Sequence, residues 1–271
     1  SSDVCSSDLI PYVGGLIFTM VLYLIAWPVP IDPVAWQPLP APQLEGQYAI
    51  NDYLAAVDII GKDEGIGPED VDVDDEGRIY GAYLDGTIIR FSANGENLGV
   101  FANTEGRPLG LDFDTAGNLI IADAKKGLLS ADKNGSIRVL ATEIDGTPFG
   151  FTDDVDIGPD GMIYFSDASE KFGVHDYRAD LFEHRPHGKI LSYDPASENL
   201  TLLLDGLYFA NGVAVDPNGQ FLLFNETYDY SVSKYWLQGP KSGTREKIFI
   251  NTPGFPRSEE RRVGKECRSR W

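Results

Sequence analysis

Cysteine is nearly missing from this sequence: of 271 residues only Cys5 and Cys267 carry a thiol, one near each end. The body between them can build neither a disulfide framework nor a cysteine metal centre. Histidine is also scarce, with His175, His184 and His187 as the whole complement. Basic residues are outnumbered, 22 against 42 acidic, and the formal charge of −20 argues against a nucleic-acid partner, whose phosphates demand a basic face. What is present points elsewhere. Aromatics at 11%, with 29 Gly and 17 Pro, argue against disorder and against a helical bundle. The length suits one large domain or two small ones with ample material for a core.

Both ends differ from the rest. The head, 1–9, reads SSDVCSSDL; the tail, 257–271, reads RSEERRVGKECRSRW and is basic within an acidic protein. Both resemble translated sequencing-adapter sequence and are set aside from fold reasoning. The expectation is a chain cut at both ends, whose fold and activity are incomplete. Residues 10–27, IPYVGGLIFTMVLYLIAW, form an uncharged run long enough to cross a bilayer, with Tyr12 and Trp27 suited to the interfaces. No small-x-small cleavage site follows, so the run reads as a single-pass signal-anchor, with the domain on the periplasmic or extracellular side. Residues 28–55, rich in Pro up to Pro42, read as a stiff spacer.

From about residue 56 to 256 the chain repeats one unit, seen in GPEDVDVDDEGRIYGAYLDGTIIRF, RPLGLDFDTAGNLIIADAKKGLLSA, FTDDVDIGPDGMIYFSDAS with GKILSYD, and FANGVAVDPNGQFLLFNETYDYSVSKYWL. Each unit holds an apolar strand, a D-x-x-G or P-x-G turn, and further strands. Alternating β-branched runs such as Thr87–Phe91 and Ser136–Leu140 favour strands over helices. The turn glycines Gly77, Gly117, Gly161 and Gly219 recur at propeller-blade spacing. The longest step contains an insertion, roughly Glu170–His187, with a lid-like look. An all-β propeller is the reading, about four blades with the start of a fifth.

Equivalent positions in successive blades are related by rotation about the propeller axis. Eight residues before each turn glycine stand Glu69, Leu109, Asp153 and Asn211, a ring at one mouth of the central channel. Three of the four carry oxygen donors, an arrangement suited to a hard cation such as Ca²⁺ and not to zinc. One residue on, Asp70 and Asp154 could form a second, deeper metal site or could stabilise turns. Loops at the same mouth bring Phe149, Phe151, Tyr208 and Phe209, which with Leu109 could wall an apolar substrate pocket or pack between blades.

The stretch GKILSYDPASENLTLLLDGLYFANGVAVDPNGQFLLFNETYDYSVSKYWLQGPKSGT, together with RPLGLDFD and IIADAKKGL, resembles the strictosidine synthase-like family. Within the wider calcium-dependent gluconolactonase group, the likeness is to members of the adipocyte plasma membrane-associated protein type. The resemblance implies a six-bladed propeller and a catalytic calcium at the channel mouth. Glu69, in its G-P-E context, and Asn211, in F-x-N-G, match family ligands; Asp153 falls where relatives usually have Asn. A fourth ligand would follow the G-F-P of blade five, where Gly254-Phe255-Pro256 runs into the tail. Leu109 occupies the place of the histidine base of paraoxonase-type enzymes. The implied activity is hydrolysis of an aryl ester or lactone, with Asp153 as the general base or water-orienting carboxylate. The alternatives are a non-catalytic propeller that binds a ligand or protein, and strictosidine synthase-type condensation.

Overall fold

The computed structural model describes residues 6–52, 55–57 and 59–257; both cysteines and most of the two foreign-looking strings lie outside the described residues. The chain divides into two compact units, 1–32 and 33–271. In the first, helix α1 spans Ser6–Ala26 with Pro11 inside it. Among the described residues no helix is long and apolar enough to cross a membrane. The segment expected to cross a membrane is helical, with its described side chains beginning at Pro11, and no membrane span is found among the described residues.

Among its described residues the second unit is all-β apart from one short α-helix and two 3-10 turns, Gly46–Tyr48 and Thr227–Asp229. It contains four antiparallel four-stranded sheets, each in plain chain order. The first holds β1 (Val71–Val73), β2 (Ile79–Ala82), β3 (Thr87–Phe91) and β4 (Asn97–Asn103). The second holds β5 (Pro108–Phe113), β6 (Leu119–Asp123), β7 (Gly127–Ala131) and β8 (Ile137–Ala141). A small ribbon, β9 (Glu143–Ile144) and β10 (Thr147–Pro148), leads to the third: β11 (Thr152–Ile157), β12 (Ile163–Asp167), β13 (Gly188–Asp194) and β14 (Asn199–Leu207). The fourth holds β15 (Ala210–Val215), β16 (Phe221–Glu226), β17 (Ser231–Trp236) and β18 (Arg245–Phe249). The helix, α2 (Tyr177–Glu183), lies in the insertion between β12 and β13.

The repeated turn has a local cause. Asp74 Oδ1 accepts from the backbone N–H groups of Glu76 and Arg78, and Asp114 Oδ1 does the same for Ala116 and Asn118. Gly77 and Gly117 then supply the left-handed step, at φ 77° and 79°, that turns β1 into β2 and β5 into β6. Sheets stack because both faces of their second strands are apolar. In β6, Leu119 and Ile121 pack against Tyr80 and Ile88 of the first sheet, while Ile120 and Ala122 pack against Val155 and Phe165 of the third. A third layer, from Tyr164 and Ile190 to Leu222 and Phe224, joins the third sheet to the fourth. The fold is therefore propeller-like, with four blades in a row; no closed ring forms among the described residues.

The innermost strands are stitched together by carboxylates. Asp70 Oδ2 accepts from Leu111 N at 2.9 Å, Asp72 Oδ2 from Phe113 N at 2.9 Å, and Asp112 Oδ2 from Ile157 N at 2.8 Å. Asp154 Oδ2 and Asp156 Oδ2 continue the pattern onto Val213 N and Val215 N. Each carboxylate reaches across to the next blade, so the D-V-D-V, L-D-F and D-V-D-I runs act as inter-blade ties. This gives Asp70 and Asp154 a structural task whatever else they do.

The Pro-rich segment does not stand free as a spacer. Val34 N donates to Glu183 O at 2.9 Å, and Trp36 stacks on His184 and Tyr230 at 4.5 and 5.9 Å between centroids. Asn251 Nδ2 donates to Pro40 O at 2.8 Å. Residues 33–40 are thus a strap laid over the insertion and the fourth blade.

Candidate functional site

The site begins with a second set of acidic ties, which fix the loops entering the inner strands. Asp123 Oδ1, at the end of β6, accepts from Arg107 N at 2.9 Å. Asp167 Oδ1, at the end of β12, accepts from Phe151 N at 2.8 Å, and Glu226 Oε2, at the end of β16, accepts from Tyr208 N at 3.1 Å. Each tie clamps the chain two or three residues before Leu109, Asp153 or Asn211. Those three side chains therefore arrive at the same end of their strands, and the residue that precedes Asp70 and β1, Glu69, arrives with them.

One small pocket of about 20 Å³ is lined by Glu69, Asp70, Leu109, Asp153, Asp154, Asn211 and Arg257. That volume suits a single water-sized occupant. The structure thus brings the ring read from the repeat register to one place, with Asp70 and Asp154 beside it. Asp153 and Asn211 are buried, and Asp153 Oδ2 has no hydrogen-bond partner among the described residues. Burial pushes the Asp153 carboxyl up to about 7, with Arg257 and Arg107 opposing the rise and Glu69 adding to it. Asp154 is pushed well above its ordinary value, first by burial and then by Asp70.

The donor chemistry fits a hard cation. The polar lining offers carboxylate and amide oxygens with no His or Cys, and a buried carboxylate oxygen stands without a partner. As arranged, however, no three acidic side chains among the described residues stand close enough to share one ion. Glu69 is engaged by guanidinium groups instead: Arg107 Nη2 lies 3.5 Å from Oε1, and Arg257 Nη2 lies 3.0 Å from Oε2. Arg257 directly follows Gly254-Phe255-Pro256, the place from which a fourth oxygen ligand was expected. It is the first residue of the string set aside as foreign.

The apolar side of the mouth is narrower than the sequence suggested. Leu109, Phe151, Phe209 and Tyr228 form one buried cluster, with Tyr208 packed at its margin. Phe149 points away from it, packing on Phe165 in the layer between the second and third sheets. In its place α2 contributes Tyr177 and Leu181, which cover the cluster as a lid. The lid is held by Ser169 Oγ donating to Asp180 Oδ2 at 2.6 Å, and by Lys171 and His187 on the fully buried Glu183. His184 lies between Trp36 and Tyr208, and burial lowers its pKa, favouring the neutral ring in that stack. Arg107, Arg257 and the lid residues were not singled out from the sequence. For Arg107 a signal existed: it is a lone basic residue two places before the ring position.

Two family models match this chain: strictosidine synthase over residues 153–240, and strictosidine synthase-like, N-terminal, over residues 46–91. The chain is strictosidine synthase-like. Among curated relatives, Arabidopsis thaliana protein STRICTOSIDINE SYNTHASE-LIKE 4 is 36% identical over 236 residues, covering 84% of this chain and 61% of that protein. Danio rerio adipocyte plasma membrane-associated protein is 26% identical over 275 residues, covering 94% of the chain and 65% of the relative. The strictosidine synthase-like chain thus spans somewhat under two thirds of these relatives. A gluconolactonase from Xanthomonas campestris superposes with a TM-score of 0.57 at 17% identity, over 68% of this chain and 62% of that one. Regucalcin from Agrobacterium tumefaciens, described as a calcium-binding protein, superposes with a TM-score of 0.56 at 16% identity, over 72% and 64%. At such identities these solved structures speak for the fold of the strictosidine synthase-like chain and for no activity.

Proposed function

We propose that the whole protein is a calcium-dependent hydrolase of aryl esters or lactones, working at the axial pocket. The observation that carries this reading is the buried, unpartnered oxygen of Asp153 in an oxygen-lined pocket at the blade mouth. Glu69, Asp153 and Asn211 would hold calcium, which when bound supplies polarisation of the ester carbonyl. The chain's own contribution is threefold. Asp153 accepts a proton from water as the water oxygen adds to the carbonyl carbon, and returns it to the departing alkoxide as the C–O bond breaks. Phe151, Phe209 and Tyr228 give an aryl or lactone ring an apolar wall. The lid, through Tyr177 and Leu181, keeps bulk water out. Hydrolysis of an aryl acetate should fall by about 100-fold or more in Asp153→Asn and on addition of chelator. Unchanged turnover in both, or an Asn211→Ala variant equal to wild type, would remove the enzyme reading.

One observation favours a binding propeller instead: Leu109 stands at a ring position where a base could act. A chelator-insensitive protein that still binds a ring-bearing ligand would decide for that alternative.

Anchoring through the uncharged run at residues 10–27 belongs to the same proposal, with the β-rich unit exported. Alkaline carbonate should leave the protein in the membrane pellet; release into the supernatant would count against an anchor.

A further inference from the structure

Arg107 enters β5 with its guanidinium almost wholly out of solvent, its side chain 7% exposed. Its backbone N–H is taken by Asp123. Among the described residues its one ion pair is the 3.5 Å approach of Nη2 to Glu69, and Nη1 is buried without a hydrogen-bond partner there. Burial lowers its pKa, partly offset by Glu69, Asp153 and Asp123. A cation buried so sparsely contributes little to folding, because its desolvation is poorly compensated. Its place beside a pocket lined by Glu69, Asp70, Asp153 and Asp154 gives it another use.

We propose that Arg107 is a positioning residue and built-in counter-cation: it holds Glu69, competes with a divalent ion for that carboxylate, and so sets the cation affinity of the pocket. The inference rests on the calcium reading above and adds a regulator to it. Three observations support it. Both oxygens of Glu69 face guanidinium groups, Oε1 towards Arg107 and Oε2 towards Arg257. No three acidic side chains among the described residues are close enough to share an ion. Arg257 has a side chain 58% exposed and is screened by water, whereas Arg107 is not, so the buried charge is the stronger competitor.

The test is calcium titration by calorimetry on the full chain, comparing wild type with Arg107→Met, Arg107→Lys and Arg257→Gln. Arg107→Met keeps the aliphatic stem and removes the charge; it should bind calcium roughly tenfold or more tightly than wild type. Arg107→Lys keeps the charge and should stay within about twofold, and Arg257→Gln should tighten binding less than Arg107→Met does. Without calcium, Arg107→Met should melt no lower than wild type. Equal or weaker binding by Arg107→Met, tightening by Arg107→Lys to the same degree, or loss of cooperative melting in Arg107→Met would each overturn the proposal while leaving a calcium-binding wild type in place. Absence of binding heat in all four proteins would overturn the calcium reading itself, and this inference with it.

Discussion

Stability of the β-rich unit is expected to decline as pH rises from about 4 to about 8, and Asp112→Asn should remove the share of that decline carried by one of several buried carboxyls. Asp112 sits in the middle of the inner-strand ladder, where burial, then the charges of Asp156 and Asp72, push its carboxyl from 3.8 up to about 8. Its only opposing influence of note is the hydrogen bond accepted from Ile157 N. In the unfolded chain the carboxyl ionises at its ordinary value, so between the two the native state binds the extra proton. Stability is then full below about pH 4 and is lost as pH climbs through the native value, at up to about 1.4 kcal/mol per unit. Sharing of the proton with Asp156 makes this an upper bound. Asparagine keeps the acceptor for Ile157 N without the charge. Urea midpoints at pH 4.5 should nearly coincide for the two proteins and separate at pH 8 in favour of Asp112→Asn. Parallel pH profiles would refute the assignment.

Gly110→Ala should be strongly damaging, because the added methyl group meets the backbone of the neighbouring blade. A Cβ at Gly110 would lie 2.7 Å from Asp154 Cα and 2.8 Å from Val155 N. These are backbone atoms of the neighbouring inner strand and cannot rotate away, so the second and third blades must part. Overpacking of this kind costs about 1–3 kcal/mol, and with no flexible neighbour the upper end is expected. Parting the blades also moves Asp153 and Asp154 relative to Glu69, so calcium binding should weaken together with the melting temperature. Gly173→Ala, whose Cβ would meet only Gly150 O at 3.5 Å, is the matched control and should be nearly neutral. A Gly110→Ala protein as stable as that control would show that the inner strands are more loosely packed than described.

The repeat made much of this legible in advance. Turn glycines at matching places fix the strand order, and a common offset from them picked out Glu69, Leu109, Asp153 and Asn211, which do line one pocket. Rotation about an axis turns equal offsets into neighbours, so the arithmetic of the repeat is also geometry. What the register could not show came from outside it. Phe149 lies one step off the repeat, beyond the β9–β10 ribbon, and packs into a blade interface. Tyr177 and Leu181 reach the site from an insertion present in one blade only. Arg107 reaches Glu69 with a side chain long enough to span two blades, which no offset records. The Pro-rich segment read as a spacer because its composition is that of one, and its docking rests on distant partners that composition does not record: His184 and Tyr230 for Trp36, Glu183 O for Val34 N, and Asn251 for Pro40 O.

That docking bears on where the protein can be trimmed. The N-terminal family match begins at residue 46, and a shortened form started there would look complete by sequence. It would lack Val34, Trp36 and Pro40, leaving the C-terminal end of α2 uncovered and one face of the His184 ring open to water. Shortened versions made for assay should therefore retain the chain from Pro33 onward, or the lid will be a loosened one.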